Sequence, residues 1–563
     1  MKNLERLLGI LSCSFLMSAT DLALAVNLTP DAGSVLREQQ QPMLQIPTRP
    51  APKLQFEELS RPGLPPTAGA HFQLKRFHIT GNAVFSADVL LAEVQHWVGT
   101  DLHFAELGEA VARLTRFYRD HGYLVARAYL PAQNIKDGEV EIAIIEGRYG
   151  ELEVTNRSRV LNHIAQRHIE GLRRTVVHAP AIERKLLLLN DLAGVGDAHV
   201  TLRPGAKVGD SDATFELTAA PAATGSVEYD NHGNHFIGAN RLTGRLDLLS
   251  PLHLGDQLST RFTRGFDGLD YGYVNYRIPL GSDGFRLGGT YGASDYQLGK
   301  TFRPLNASGD SDTAAVNVSY PFIRTRNFSL YGEMDYTWRS FQDRIGATAT
   351  VIDKHTRGAA FIVSGDVRDR FGGGGVTAFS IVYGEGRVAI NTPTARTIDS
   401  LSARTNGHFD KWNFNFLRLQ SLTERTTVFI SVEAQQASTN LDSSEKFILG
   451  GANGVRAYPQ GEASGDSGYR ATAELRYRRS NLGLPGVWQP FVFVDVGAVT
   501  LNADPFAVGT NRRHLAGAGL GLSWLAAGGL QINLTLASRI GYEHAISDTD
   551  SHLRGWVQLI KNF

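Results

Sequence analysis

A chain of 563 residues with 56 basic and 56 acidic side chains has no formal net charge, which argues against a general nucleic-acid binder, since such proteins show a basic excess. Its single cysteine is Cys13, so a mature form has no thiols and draws its stability from packing and strand closure instead of disulfides. Glycine (59) and aromatics (28 Phe, 18 Tyr, 6 Trp) abound, and no segment beyond the leader approaches the roughly 20 apolar residues of a membrane-spanning helix. A transmembrane β-barrel fits that combination, with a large soluble β-protein left open by composition alone.

The chain opens with Lys2 and Arg6, an apolar run from Leu7 to Leu16 and the small-residue site Ala23-Leu24-Ala25, which reads as a secretory signal peptide over residues 1–25. Ile10-Leu11-Ser12-Cys13 looks like a lipoprotein box, but the apolar run before it is too short. Residues 26–71 form the next zone. Thr29-Pro30-Asp31 reads as an N-cap followed by proline at the first helical position, with about three turns of helix from Ala32 to Gln41 ended by Pro42. Pro47, Pro50, Pro52, Pro62, Pro65 and Pro66 then predict an extended tether.

Residues 72–147 carry a β-α-α-β-β pattern: strand Gln73 to Ile79, helical spacing over Ala83 to Val98 and Phe104 to Tyr118, then strands Leu124 to Leu130 and Glu139 to Ile145. It repeats over 148–220, with strands at 151–155, 198–203 and 213–219 and helices at 158–171 and 180–192. Two small α+β domains in tandem are expected.

From Gly225 to Phe563 the pattern is strands only. Sixteen candidates begin near residues 225, 239, 257, 269, 284, 312, 327, 356, 374, 406, 425, 468, 488, 513, 530 and 553. A spacing of about 21 residues suits strands of about 9–11 residues joined by alternating short turns and longer loops. Tyr469, Ala471, Ala473, Leu475 and Tyr477 share one face of a strand, and Arg470, Thr472, Glu474, Arg476 and Arg478 share the other. Leu242, Leu246 and Leu248 likewise oppose Arg241, Arg245 and Asp247, and Ile532, Leu534 and Leu536 oppose Gln531, Asn533 and Thr535. Several arginines and a glutamate would not fit a closed dry core, because unpaired buried ions are prohibitive. They fit a watery lumen with the apolar face outside. Phe563 ends the chain in register with Val557 and Leu559.

The longest gap between strands, 436–466, holds Val455-Arg456-Ala457-Tyr458 after the glycine-rich stretch Gly450-Gly451-Ala452-Asn453-Gly454. A Phe-x-Asp-x-Gly strand (Phe493, Asp495, Gly497) follows. If Asp495 faces the lumen, Arg456 reaches it only by entering the barrel, and a charge-assisted, bidentate pair then latches the loop tip. Gly517, Gly519 and Gly521 share one face nearby and leave room for such a loop. The competing reading makes Arg456 a solvated loop charge and pairs Asp495 with a neighbouring strand.

Other motifs are discounted. Gly465-Asp466-Ser467-Gly468 matches a trypsin-like nucleophile box but lacks a histidine motif. Gly372 to Gly375 and Gly517-Ala518-Gly519 lack the following helix that phosphate binding needs. His232 and His235 have no third metal ligand and read as turn residues. No catalytic centre, cofactor or metal site is expected.

These residues resemble the outer-membrane transporters of two-partner secretion, the TpsB type of the outer-membrane-protein-85 superfamily. Phe77-His78-Ile79-x-Gly81-Asn82, the run from Gly122-Tyr123 through Ala126-Arg127-Ala128-x-Leu130-Pro131-x-Gln133, and Gly138-x-Val140-x-Ile142-x-x-x-Glu146-Gly147 are similar to the family's first POTRA domain; the second is matched by layout. The segment from Asp31 through Leu36 to Gln41 resembles the family's plug helix, and Val455-Arg456-Ala457-Tyr458 its Val-Arg-Gly-Tyr lid-loop tip, with Ala457 in place of glycine. A methyl there would oppose a backbone with φ > 0. The resemblance implies a non-enzymatic pore in the bacterial outer membrane, with POTRA domains in the periplasm. Its cargo would be a TpsA-type exoprotein, its surroundings outer-membrane lipid, and its insertion the work of the barrel-assembly machinery. Two POTRA units favour secretion over the assembly factors of the same superfamily, which have more. A diffusion porin for small anionic solutes and a membrane-embedded hydrolase are the other classes left open.

Overall fold

The computed structural model describes residues 29–40, 53–56, 71–135, 137–173 and 175–563, so the signal-peptide reading lies outside the described residues. Sixteen antiparallel strands, from Ala223–Asp230 to Leu553–Asn562, close into a barrel; the strand after the long loop is interrupted at Arg478 into Ser467–Tyr477 and Arg479–Leu482. The first and last strands pair in register from Ser226↔Asn562 to Asp230↔Gln558 and complete the cylinder, which leaves no exposed sheet edge.

Observed starts follow the sequence pattern closely, but the strands are longer than the 9–11 residues expected. Ala307–Arg324 and Phe328–Ile345 have 18 residues each and Thr350–Asp369 has 20. Alternation predicts only the band that crosses hydrocarbon; ladder hydrogen bonds between neighbours carry these strands well past it. Side-chain direction obeys the charge argument: Leu242, Leu246, Leu475, Leu534 and Leu536 are exposed on the outside, while Arg470 and Glu474 are buried within.

Before the barrel stand two small α+β units. In the first, Arg76–Thr80 pairs in parallel with Glu139–Ile145, and Arg127–Tyr129 pairs antiparallel on its other side. Helix Phe104–Asp120 buries Leu107, Ala110, Leu114 and Tyr118, one stripe at helical spacing, against Phe77, Ile79, Val140 and Ile142. The other helix is shorter than the spacing predicts, Ala87–Val94, because the chain tightens into a 3₁₀ turn at Gln95–Trp97. Glu146 is buried at the hub: one carboxylate oxygen accepts from the backbone N–H groups of Ala83 and Val84 and from the Tyr118 hydroxyl, at 2.7, 2.7 and 2.9 Å.

In the second unit the strand order is Lys53–Phe56, Val195–Pro204, Asp210–Ala219, Arg148–Asn156. The outermost strand comes from the proline-rich segment expected to be a plain tether. It runs parallel to Val195–Pro204 with Lys53 opposite His199 and Phe56 opposite Leu202.

This unit is docked on the barrel's short turns. Asp191 accepts a bidentate pair from Arg324 at 2.9 and 3.0 Å, and its carbonyl accepts from Arg286. Lys185 meets Asp283 at 3.0 Å, and the Ala193 N–H donates to the Gly255 carbonyl. The short turns therefore face this unit, and the long loops lie at the opposite mouth.

Candidate functional site

The barrel interior is filled by two pieces of the protein's own chain: helix Ala32–Gln39 and the loop between Ala437 and Ser467. The loop turns back as a small hairpin, Phe447–Ile448 against Ser464–Gly465, and Gly450 bridges to Val455 so that residues 455–458 form the tip. Val455, Ala457 and Tyr458 are fully buried, packed with Leu449, Phe493, Leu515 and Ala537.

Arg456 is buried among acceptors. Its Nε donates to Asp495 Oδ2 and its Nη2 to Asp495 Oδ1, both at 2.8 Å, while Nη1 donates to Glu474 Oε1 at 2.7 Å. The Arg456 backbone N–H also donates to Asp495 Oδ2, and Thr472 Oγ1 donates to Oδ1. The guanidinium lies 3.5 Å above the Phe493 ring centroid, a stacked cation–π contact. Trp556 on the last strand donates its indole N–H to the Arg456 carbonyl at 2.8 Å, so the tip touches the strand that closes the barrel. Glu474 also receives Arg476, leaving two cations and two carboxylates in balance. A pair this dry depends on such balance, because removing one member strands the other's charge.

The partner strand contributes by shape as well as charge. A Cβ on Gly497 would run into the side chain of Leu449, so the missing side chain makes room for the loop. Gly517 does the same for Ala457, whose methyl would stand 2.5 Å from an added Cβ. Gly519 and Gly521 differ from the sequence reading: their space is taken by the rings of Phe493 and Phe491 from the next strand, not by the loop. Ala457 itself has no positive φ, so the backbone turn does not require glycine there.

The helix is capped by Asp31, not Thr29. The Asp31 carboxylate accepts from the Ser34 N–H at 2.9 Å and the Ser34 hydroxyl side faces back to the cap in a capping box. The helix ends at Gln39, two residues short of expectation, in line with the bias against helix just ahead of Pro42; Gln41 lies outside the described residues. Val35 and Leu36 pack on Tyr271, Tyr296 and Phe341 of the wall and on Phe236 and Ile237 of the loop between the first two barrel strands. The polar face is held as firmly. Lys354 of the wall donates to Asp31 at 2.9 Å and to Asp442 of the loop at 2.8 Å, and Ser443 Oγ donates to Asp31 at 2.7 Å. Asp343 accepts from the Ala32 N–H, Glu38 accepts from Asn234, and Arg37 donates to the Lys446 carbonyl.

Sequence reasoning named neither Lys354 nor Glu474's second role, because each is defined only by partners far along the chain. The protease-like box has a structural use: Asp466 is buried, pairs with Lys446 and accepts from the N–H groups of Leu441 and Ala503, while Ser467 accepts from the Ala437 N–H. His235 pairs with Asp548 at 3.1 Å and His232 lies edge-on to Trp556.

The chain matches the haemolysin secretion/activation protein family ShlB/FhaC/HecB over residues 209–524, more than half its length, and a POTRA domain of ShlB type over residues 72–147. It is 28% identical over 571 residues to the heme/hemopexin transporter protein HuxB of Haemophilus influenzae, covering 98% of each chain. It is 23% identical to the outer membrane transporter CdiB of Dickeya dadantii, covering 86% of this chain and 87% of that one. The solved structure of CdiB from Escherichia coli shares the fold with a TM-score of 0.72 at 20% identity, over 98% of this chain and 100% of that one. A closed sixteen-stranded barrel behind POTRA-like units, filled by its own helix and loop, thus places the chain in the haemolysin secretion/activation family, the non-catalytic outer-membrane transporters of two-partner secretion.

Proposed function

We propose that the cargo is an unfolded TpsA-type exoprotein, recognised in the periplasm by the two α+β units and passed through the lumen once the helix and the loop give way. Recognition of an unfolded chain calls for contacts to its backbone, which an exposed strand edge supplies by β-augmentation. The carrying observation is that the helix and the loop are held to the wall by two discrete polar clusters, one at Lys354 that they share and one at Arg456, so both can detach without unfolding the wall. Insertion by the barrel-assembly machinery and a setting of outer-membrane lipid belong to the same reading.

Folding of the cargo outside makes backsliding unfavourable and drives the passage. HuxB is named for heme and hemopexin, and the full-length match makes an exoprotein of haem acquisition the first cargo class to test. The test is co-expression with candidate exoproteins and scoring of the culture medium. Export that appears only with this chain present, and falls with Arg456→Ala while the barrel stays inserted, supports the reading. A diffusion porin would instead conduct small anions at rest and keep serving its solute after deletion of residues 72–220.

A further inference from the structure

The outer wall of the barrel carries a charge pattern that passage through the lumen does not use. Trp338, Arg357, Arg387 and His408 stand directly opposite one another across four neighbouring strands, Phe328–Ile345, Thr350–Asp369, Gly375–Ile390 and Gly407–Ser421. All four side chains are exposed, on the same face as the exposed Phe361, Ile381 and Phe414 of the apolar band. Arginines facing each other across a strand pair repel, which is destabilising unless an anion neutralises them. Among the described residues, neither Arg357 nor Arg387 has an ion pair or a side-chain hydrogen bond. Other outward arginines are neutralised within the chain: Arg418 forks onto Asp369 at 2.8 and 3.0 Å, and Arg344 meets Asp310 at 2.7 Å.

The height of the row on the wall says what kind of anion meets it. Arg357 is seven residues from Thr350, Arg387 three from Ile390 and His408 one from Gly407, all counted from the mouth that bears the long loops. The α+β units are periplasmic and lie at the other mouth, so the row stands at the headgroups of the outer leaflet. Aromatic pairs adjoin it on the hydrocarbon side, Tyr336 with Trp338 at 4.4 Å between ring centroids and Tyr383 with Trp412 at 4.9 Å, as in an interfacial girdle. Charge on the lipid-facing side is tolerated at that depth, and guanidinium forks there bind phosphate oxygens in pairs. Strands about 4.8 Å apart place Arg357 and His408 roughly 10 Å apart, a span that takes more than one phosphate. Glu385 and Asp410 also face outward, one step nearer the hydrocarbon and opposite each other. The Tyr383 hydroxyl donates to Glu385 and the Ser438 hydroxyl to Asp410. These carboxylates repel a phosphate and so confine it to the extracellular side of the arginines.

We propose that Arg357, Arg387 and His408 form a binding site for a phosphorylated glycolipid of the outer leaflet, with a headgroup of the lipid A type that bridges three strands. On their inner side the same strands carry Lys354 and Lys411, which hold the helix cap and the loop. Bound lipid therefore braces the wall behind both obstructions.

The probe is bis-phosphorylated lipid A, added to full-length transporter purified in detergent. Retention is read by native mass spectrometry and barrel unfolding by heat-dependent gel mobility. The unaltered chain is expected to retain lipid A at a concentration about ten-fold lower than Arg357→Gln/Arg387→Gln does, and to unfold at a higher temperature when loaded. Dephosphorylated lipid A on the unaltered chain is expected to bind no better than lipid A binds the double variant, an arm that needs no variant to fold. Arg344→Gln, which removes a paired outward arginine, is expected to leave retention unchanged. Equal retention with and without the phosphates, or by the unaltered chain and the double variant, overturns the proposal. A matching loss in Arg344→Gln would make the effect one of general charge and overturns the site. Equal retention of phosphatidylglycerol overturns the glycolipid as its occupant.

Discussion

Lys354 stands 2.9 Å from Asp31 although 323 positions separate them, and 2.8 Å from Asp442 on its other side. A single ammonium in the barrel wall thus holds the cap of the lumen helix and the shoulder of the inserted loop, so the two obstructions are not independent. Lys354→Met leaves Asp31, Asp442 and nearby Asp343 without their cation, a loss on the order of 3–5 kcal/mol for a broken buried pair. Larger resting conductance and sensitivity to bulky antibiotics are expected. A channel that stays as silent as the parent would show that apolar packing of Val35 and Leu36 holds the helix unaided.

Arg456 discriminates charge from geometry. Lysine keeps the charge but cannot make the fork to both Asp495 oxygens while also reaching Glu474. Export should fall from wild type through Arg456→Lys to Arg456→Ala. Adding Asp495→Asn to the alanine variant removes one stranded carboxylate and is expected to restore part of the loop's protease resistance. Limited proteolysis of the loop, read beside export, checks both; equal export by the lysine and arginine forms would leave the fork without a role.

Space at the tip is tested without touching a charge. Gly497→Val drives a side chain into Leu449 and is expected to cost about 1–3 kcal/mol of loop docking, seen as new cleavage between residues 438 and 466. Ala457→Gly only loosens the unfolded chain and empties a methyl-sized gap against Gly517; about 0.5–1 kcal/mol and near-normal export are expected.

The seat of the second α+β unit hangs on Asp191. Its side chain and that of Arg324 are 6% and 9% exposed, so the bidentate pair is desolvated and Asp191→Ala leaves an orphan guanidinium. Faster hydrogen exchange in the 250–256 turn, with the barrel's own strands unchanged, is the expected signature. Exchange identical to the parent would assign the docking to Lys185–Asp283 and the backbone contacts.

His168 makes the same unit sensitive to acid. Burial, the largest cause, lowers its pKa, with Lys185 and Arg167 adding to the shift and the Ile164 carbonyl and Asp283 opposing it. A histidine held below its unfolded value of 6.5 binds fewer protons folded than unfolded, so stability rises with pH through that window. The contribution is complete above the unfolded value and declines as pH falls below it. Proteolytic opening of residues 148–220 should accelerate between pH 7 and pH 5, and His168→Gln should flatten that profile; an unaltered slope would assign it to another group.

Much of the architecture was legible in the sequence because its causes are local. Period-two alternation with charge on one face marks a wet-lumen barrel strand by itself, as at 469–477, and helical spacing marks Leu107, Ala110 and Leu114 as one buried stripe. Arg456 and Asp495 could be named as partners because each sits in a short recognisable pattern, and strand parity aims Asp495 at the lumen that the long loop must enter. The rest depends on residues that meet only after closure. Lys354 looks like any lumen lysine until the helix and loop bring Asp31 and Asp442 to it. Gly519 and Gly521 read like Gly517, yet the rings of Phe493 and Phe491 fill their space, since neighbouring-strand register decides who faces a gap. The short strand Lys53–Phe56 is hidden between prolines because four residues carry too little pattern; only the open edge at His199–Leu202 makes them a strand. Local periodicity therefore determined the elements and the faces, and three-dimensional closure alone decided which distant charges, gaps and edges complement one another.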